Sequence, residues 1–223
     1  ERLINGAIRR DHSLHFPRPG IAQSRRPPDW LDRETLADGF RLHVEVRAGH
    51  VRQCGPARIL TVSQDPSYRN LTVGQDDADL VIRLRTVNST LNGYPELVMP
   101  NVFASDNWRT IEINVAEQLL TIEVDGEILA TKPLPASPLK NWDQSHPLAF
   151  GNELTGDRPW LGQVASAVIY VDDTKYNLLD QQELDLPPMY WRGGSVSTPN
   201  SGITGLEDLT VVNRERAVDF ILN

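Results

Sequence analysis

Apolar and polar residues alternate with a period of two through much of the first 170 positions, the pattern of strands that bury one face. The clearest stretch is residues 108–131, WRTIEINVAEQLLTIEVDGEILAT. Ile111, Ile113 and Val115 share one face, Leu120, Ile122 and Val124 share the next, and Ile128 and Ala130 follow. Asp125-Gly126 separates the last two runs. A two-residue type I′ turn favours such a pair because both central positions need positive φ. A three-stranded antiparallel meander is therefore predicted. Further strands are predicted over residues 13–16, 20–23, 40–47, 57–63, 70–74, 80–86, 96–99, 147–150 and 163–171. Asp65-Pro66, Asp76-Asp77 and Asn92-Gly93 supply turn chemistry between them.

About ten strands at spacings of roughly 8 to 12 residues predict an all-β fold, an antiparallel sandwich or jelly roll. Helical structure is confined to short pieces. One or two turns are predicted within residues 28–37, with Asp29 as the cap. A short helix is predicted over residues 176–186, ended by Pro187-Pro188. Residues 191–205, rich in Gly, Ser, Thr and Pro, read as linker, and residues 206–223 regain apolar positions at helical spacing. The domain reading is a jelly roll over residues 1–175, irregular at its start, followed by an extended C-terminal tail over residues 176–223. Trp108 is assigned to the core, and His43 to the solvent-facing phase of its strand.

Length and charge narrow the function classes. A chain of 223 residues is long enough for one large core. A net charge of −8 argues against nucleic acid as a partner, since phosphate backbones need a basic face. A single cysteine, Cys54, allows no internal disulfide and fits no metal-ligand spacing. No apolar run approaches the 18 residues or so of a membrane-spanning helix.

Several segments carry a resemblance. Trp108 opening a strand and Val124-Asp125-Gly126-Glu127 closing the next are similar to laminin-G-like domains of the concanavalin A-like lectin/glucanase superfamily. Segments 55–64, 69–86, 92–97 and 148–170, above all Gly156-Asp-Arg-Pro-Trp-Leu-Gly162, resemble the laminin-G-like domains of bacterial VanZ-like membrane proteins. Val218-Asp219-Phe220-Ile221-Leu222-Asn223 resembles the D-F-x-x-N start of a transmembrane helix in those proteins. The resemblance implies a non-catalytic recognition or spacer module, outside the cytoplasmic membrane, joined to it through helices flanking this chain. The partner it implies is a glycan, with cell-wall polymer as one form.

Three chemistries compete for the polar residues. Glucanases of this superfamily use E-x-D-x-E-type strand motifs, and Glu123, Asp125 and Glu127 stand in that order. A retaining pair sits about 5 to 5.5 Å apart, whereas a turn at Asp125-Gly126 would splay Glu123 from Glu127, so hydrolysis is the alternative reading. Calcium, the one cofactor the resemblance admits, is bound through oxygens at sandwich rims in related domains. Asn152, Glu153 and Asp157 form one candidate group, and Asp76, Asp77 and Asp79 form another, against the reading of both as solvated turns. A lectin site needs an aromatic platform and a few polar partners. Tyr68, Tyr94, Trp142 and Trp160 are the platform candidates, with core burial the better reading for Trp160. Asn92, Asn152, Glu153, Asp157 and Arg158 are the polar candidates. Arg83 and Arg85 share one outer strand face, where an acidic ligand competes with simple solvation as their role. No zinc, nucleophile-elbow or phosphate-loop motif is present. A structural protein-interaction domain is the third function class.

Overall fold

The computed structural model describes residues 5–32, 36, 39–172, 174–180, 184–187, 190–192 and 195–197. Among the described residues fifteen strands form two antiparallel sheets. They are β1 (Ile8–Arg10), β2 (Ser13–Phe16), β3 (Ala22–Ser24), β4 (Phe40–Ala48), β5 (Gln53–Ser63), β6 (Arg69–Asp77), β7 (Asp79–Leu84) and β8 (Leu97–Met99), then β9 (Trp108–Ala116), β10 (Leu119–Val124), β11 (Glu127–Pro133), β12 (Leu148–Phe150), β13 (Gly162–Val171), β14 (Thr174–Asn177) and β15 (Leu184–Asp185). One sheet runs β1-β2-β13-β4-β9-β10-β11, with β14 also on β13, and the other runs β15-β3-β12-β5-β6-β7-β8. The fold is an antiparallel β-sandwich of the jelly-roll type.

The predicted meander is β9-β10-β11. Asp125 and Gly126 turn with φ of 53° and 85°, the left-handed geometry a two-residue hairpin requires. Ile111, Ile113, Val115, Leu120 and Ile122 enter one continuous core with Val44 and Val46 from β4 and Leu60, Val62, Leu71, Val73 and Ile82 from the other sheet. Phe16 packs edge-on against Trp160, ring centroids 6.2 Å apart, and Trp160 is fully buried as expected.

Three expectations are corrected. Trp108 is 40% exposed, not core. It pairs with Arg47, in the phase opposite to Ile111 and Ile113, so the pleat points it outward. His43 keeps the outward phase of its strand and lies half-buried there beside Glu112, at 3.1 Å. The segment around Asp29 is a single 3₁₀ turn, Asp29–Leu31, without a side-chain cap. Asp29 instead meets Arg26 at 3.3 Å. Residues 174–177 and 184–185 are strands within the span where a helix was expected: Tyr176 pairs with Ile169, and Leu184 pairs with Ser24. Those pairings bury Leu178, Leu179 and Leu184 in the core, so the sandwich reaches past residue 175 to Asp185. Tyr190–Arg192 and Ser195–Ser197 pair as a separate two-stranded piece across the start of the predicted linker. The apolar segment 206–223 lies outside the described residues.

Candidate functional site

The outer face of the seven-stranded sheet is unlike an ordinary solvated face. Register places Val62, Leu71 and Leu84 in one cross-strand row and Leu60, Val73 and Ile82 in another, all toward the core. The opposite face carries the row Thr61, Thr72 and Arg83. A bulge between Arg58 and Leu60 sets Arg58 beside Gly74 on that same face. These side chains are nonetheless buried, Arg58 at 1% and Arg69 at 0% exposure. The cover is the loop after β12. Gly151, at φ 78°, makes the exit from that strand, and a Cβ there would lie 2.1 Å from the Phe16 ring. Leu154 then packs on Ile21 and Ala149, in a small cluster apart from the main core.

Glu153, also fully buried, ties this cover to the sheet. Its carboxylate accepts from Arg58 Nε at 3.0 Å, from the Ser63 hydroxyl and from the Leu154 amide. The Thr61 hydroxyl reaches Ser63 Oγ and Thr72 Oγ1, each at 3.0 Å. Arg69 donates from Nη1 to Thr72 Oγ1 at 2.9 Å and from Nη2 to the Pro66 carbonyl. Burial lowers the pKa of Arg58 against the pull of Glu153. Burial, reinforced by Arg58 and Arg83, lowers that of Arg69 to about 9, so it stays charged at neutral pH. A buried ion costs several kcal/mol of lost hydration unless its partners are well placed. Asn152 organises the same loop, its Oδ1 accepting from the amides of Glu153 and Arg158 at 2.9 Å each. Asp157 pairs with Arg158 at 3.0 Å and accepts from the Thr155 hydroxyl.

Arg83 builds the second half of the site. It donates to Glu96 Oε2 and Tyr94 Oη, both at 2.6 Å, and to Asn92 Oδ1 at 3.5 Å. Its guanidinium also lies 4.5 Å from the centroid of the Tyr94 ring. One arginine thus fixes the loop between β7 and β8 and brings Asn92 and Tyr94 together. The Arg69 amide donates to the Leu91 carbonyl at 3.1 Å, tying that loop to the β5–β6 loop, where the Tyr68 carbonyl accepts from the Gln64 amide. Tyr68 and Leu91 are each 46% exposed and Tyr94 40%. Held at the same end of the sheet, they make an apolar shelf beside polar groups.

Six of the predicted polar and aromatic residues thus converge on this face, Asn92, Tyr94, Asn152, Glu153, Asp157 and Arg158, and Tyr68 stands at its edge. Asn152 and Glu153 are sealed inside and serve as framework, a correction to their reading as ligand contacts. Trp142 leaves the site altogether. It is 1% exposed, packs on Phe40 at a centroid distance of 5.5 Å and donates from Nε1 to the Arg85 carbonyl at 2.7 Å. Sequence reasoning missed Arg58, Arg69 and the Ser–Thr row between them. The available signal was that residues 57–63 and 70–74 carry small or apolar residues in both phases, the mark of strands covered on both faces.

The calcium groups do not fit an ion. Asp76 accepts from the Gly55 amide, Asp77 faces Arg52 at 3.9 Å and Asp79 accepts from the Asn101 amide. Asn152, Glu153 and Asp157 are committed as above. Among the described residues no three His, Cys, Asp or Glu side chains gather as a metal cage. The glucanase trio does not fit either. Asp125 is held in its turn by Arg109 at 2.7 Å and the Thr110 amide at 2.8 Å. Glu123 lies opposite Ile128, whereas Glu127 lies opposite Val124, so the two carboxylates occupy different rows.

No family model and no curated protein matches the chain in sequence. Solved structures match in fold. A binding domain of botulinum neurotoxin DC in complex with SialylT aligns at a TM-score of 0.52 and 12% identity, over 77% of this chain and 43% of that one. A receptor binding domain aligns at a TM-score of 0.50 and 13% identity, over 72% and 40%. The chain therefore spans about two fifths of the length of these proteins. The carbohydrate-binding module of the Ruminococcus gnavus IT-sialidase, in a structure with alpha2,3 sialyllactose, aligns at 0.49 and 11% identity over 61% and 78%. At these identities the two matches at 0.50 and 0.52 bear on the fold alone, a β-sandwich.

Proposed function

We propose that this chain is a non-catalytic glycan-recognition module, carried outside the cytoplasmic membrane by a bacterial membrane protein of the VanZ-like kind. The observation that carries the recognition reading is the shelf of Tyr68, Leu91 and Tyr94, with Tyr94 fixed by Arg83. Aromatic faces pack against the C–H surface of a pyranose, and a ring held in place before binding loses little freedom on contact. Asn92 and Arg158 supply half-buried polar groups beside it. A structural neighbour of this fold, the binding domain of botulinum neurotoxin DC, is seen in complex with SialylT, which agrees with the reading. The membrane context rests on the resemblance of segments 156–162 and 218–223. Among the described residues no helix is long and apolar enough to cross a membrane.

A glycan array probed with the purified chain tests the proposal. Binding to a subset of glycans that Tyr94→Ala weakens about tenfold, with the melting temperature held, supports it. Absence of binding across the array, or binding indifferent to Tyr68→Ala and Tyr94→Ala together, defeats it.

A further inference from the structure

The outer-face site holds more guanidinium groups than carboxylates to match them. Arg58 meets Glu153, Arg83 meets Glu96 and Arg158 meets Asp157. Arg69 and Arg85 meet no carboxylate at ion-pair distance among the described residues. Their Nε atoms are buried without a hydrogen-bond partner. Arg69 is sealed under the loops, but Arg85 is only half-buried. The expected pair of arginines therefore divides. Arg83 spends its donors on Glu96, Asn92 and Tyr94, whereas the Arg85 guanidinium makes no hydrogen bond or ion pair among the described residues.

The backbone around Arg85 is firmly fixed. Its amide donates to the Asn70 carbonyl at 2.8 Å, and its carbonyl accepts from Trp142 Nε1 at 2.7 Å. Asn70 in turn exchanges hydrogen bonds with the main chain of Asp143, at 2.8 and 2.9 Å. This ties the loop before β12 to the same sheet end that carries the loops of Tyr68 and Tyr94. His146, from that loop, is 2% exposed and its Nε2 also lacks a partner. The nearby Asp143 carboxylate feels the Arg85 charge from beyond ion-pair distance and is held by Ser145, whose amide and hydroxyl donate to it at 2.9 and 2.6 Å. An arginine on a fixed backbone, with unspent donors on its guanidinium, matches the two oxygens of a carboxylate bidentately.

We infer that Arg85 anchors a sugar-borne carboxylate, making the preferred ligand an acidic glycan whose ring lies toward the Tyr68–Tyr94 shelf. This deepens the glycan-recognition reading and rests on it. Such a carboxylate belongs either to a sialic acid or to a uronic acid, and the two sources are separable by experiment.

The test is calorimetric titration of the whole chain with 3′-sialyllactose, trigalacturonate and their neutral counterpart lactose, at low and moderate salt. At least one acidic sugar is expected to bind tenfold or more tightly than lactose, with affinity falling as salt rises. The acidic sugar that binds names the source. Arg85→Gln is expected to abolish the preference for acid while leaving the melting temperature within a few degrees, and Arg85→Lys is expected to restore part of it. Arg26→Gln, which removes a cation outside the site, is expected to change nothing. Equal binding of acidic and neutral sugars, or an acid preference unmoved in Arg85→Gln, overturns the inference and leaves glycan recognition standing. Binding to none of these sugars, in a chain that binds neutral glycans on the array, overturns the inference alone. Binding to no glycan in either experiment overturns both.

Discussion

Replacing Glu153 with Gln preserves shape and removes one charge, so it isolates what the buried carboxylate contributes. In the parent, Arg58 and Glu153 are 1% and 0% exposed and meet at 3.0 Å. Arg58 also faces Arg83 and Arg158, and Arg69 faces Arg58 and Arg83, so Glu153 neutralises a mutually repelling group. Removing one member of a buried ion pair typically costs about 3–5 kcal/mol, because the remaining charge stays desolvated and unmatched. For a chain of this size that corresponds to a fall in melting temperature of roughly 6–20 °C. Urea denaturation followed by tryptophan fluorescence gives the free energy directly. Adding Arg58→Met to Glu153→Gln removes the orphaned charge, and the double variant is expected to be more stable than the single one. The coupling between the two positions is then read as a double-mutant cycle. If Glu153→Gln lies within about 0.5 kcal/mol of the parent, as ordinary surface changes do, the ion pair is not what holds the loop to the sheet.

Three further outcomes are expected. Burial holds the His146 pKa below its ordinary 6.5, outweighing the opposing pull of Asp143. The unfolded chain therefore binds more protons than the fold as pH drops below 6.5, so this contribution to stability is complete above that pH and lost as pH falls through the folded value. His146→Gln should flatten the dependence between pH 7.5 and 5, measured by urea denaturation, and an unchanged slope would count against the assignment. Gly151→Ala places a methyl group against the Phe16 ring at a positive φ, and is expected to cost about 1–3 kcal/mol by the same assay; a neutral result would mean that the loop exit tolerates a side chain. Because the acidic groups are already committed to amides and arginines, millimolar Ca²⁺ should leave the melting temperature unchanged, and a clear rise would reinstate a calcium site.

The sandwich was readable from sequence because its central strands obey a strict period of two. Phe40, Leu42, Val44 and Val46 alternate with polar residues, as do Ile111, Ile113 and Val115, and all are core. Trp108 misled because large aromatics are usually buried, yet its position in the alternation already matched the outward phase of Glu112. The extended course of residues 174–177 was hidden because Tyr176 takes its conformation from pairing with Ile169, a partner that local periodicity does not reveal. The candidate site was legible at its rim, where Asn92, Tyr94 and Arg158 sit in turn-rich segments. It was illegible at its base. Arg58 and Arg69 sit in strands whose register shifts three times between β5 and β6, and such shifts move a side chain between faces without a local sequence mark.

The loops bearing Tyr68, Tyr94 and Asp143 all emerge from one end of the seven-stranded sheet, each stitched to a neighbouring strand or loop by a backbone or asparagine hydrogen bond. Their anchor points are consequently set by the strands and not by loop length. Variants of this scaffold with longer or shorter tips can therefore change the surface presented at that end while the layered interior stays as it is, which makes the tips the natural place to randomise.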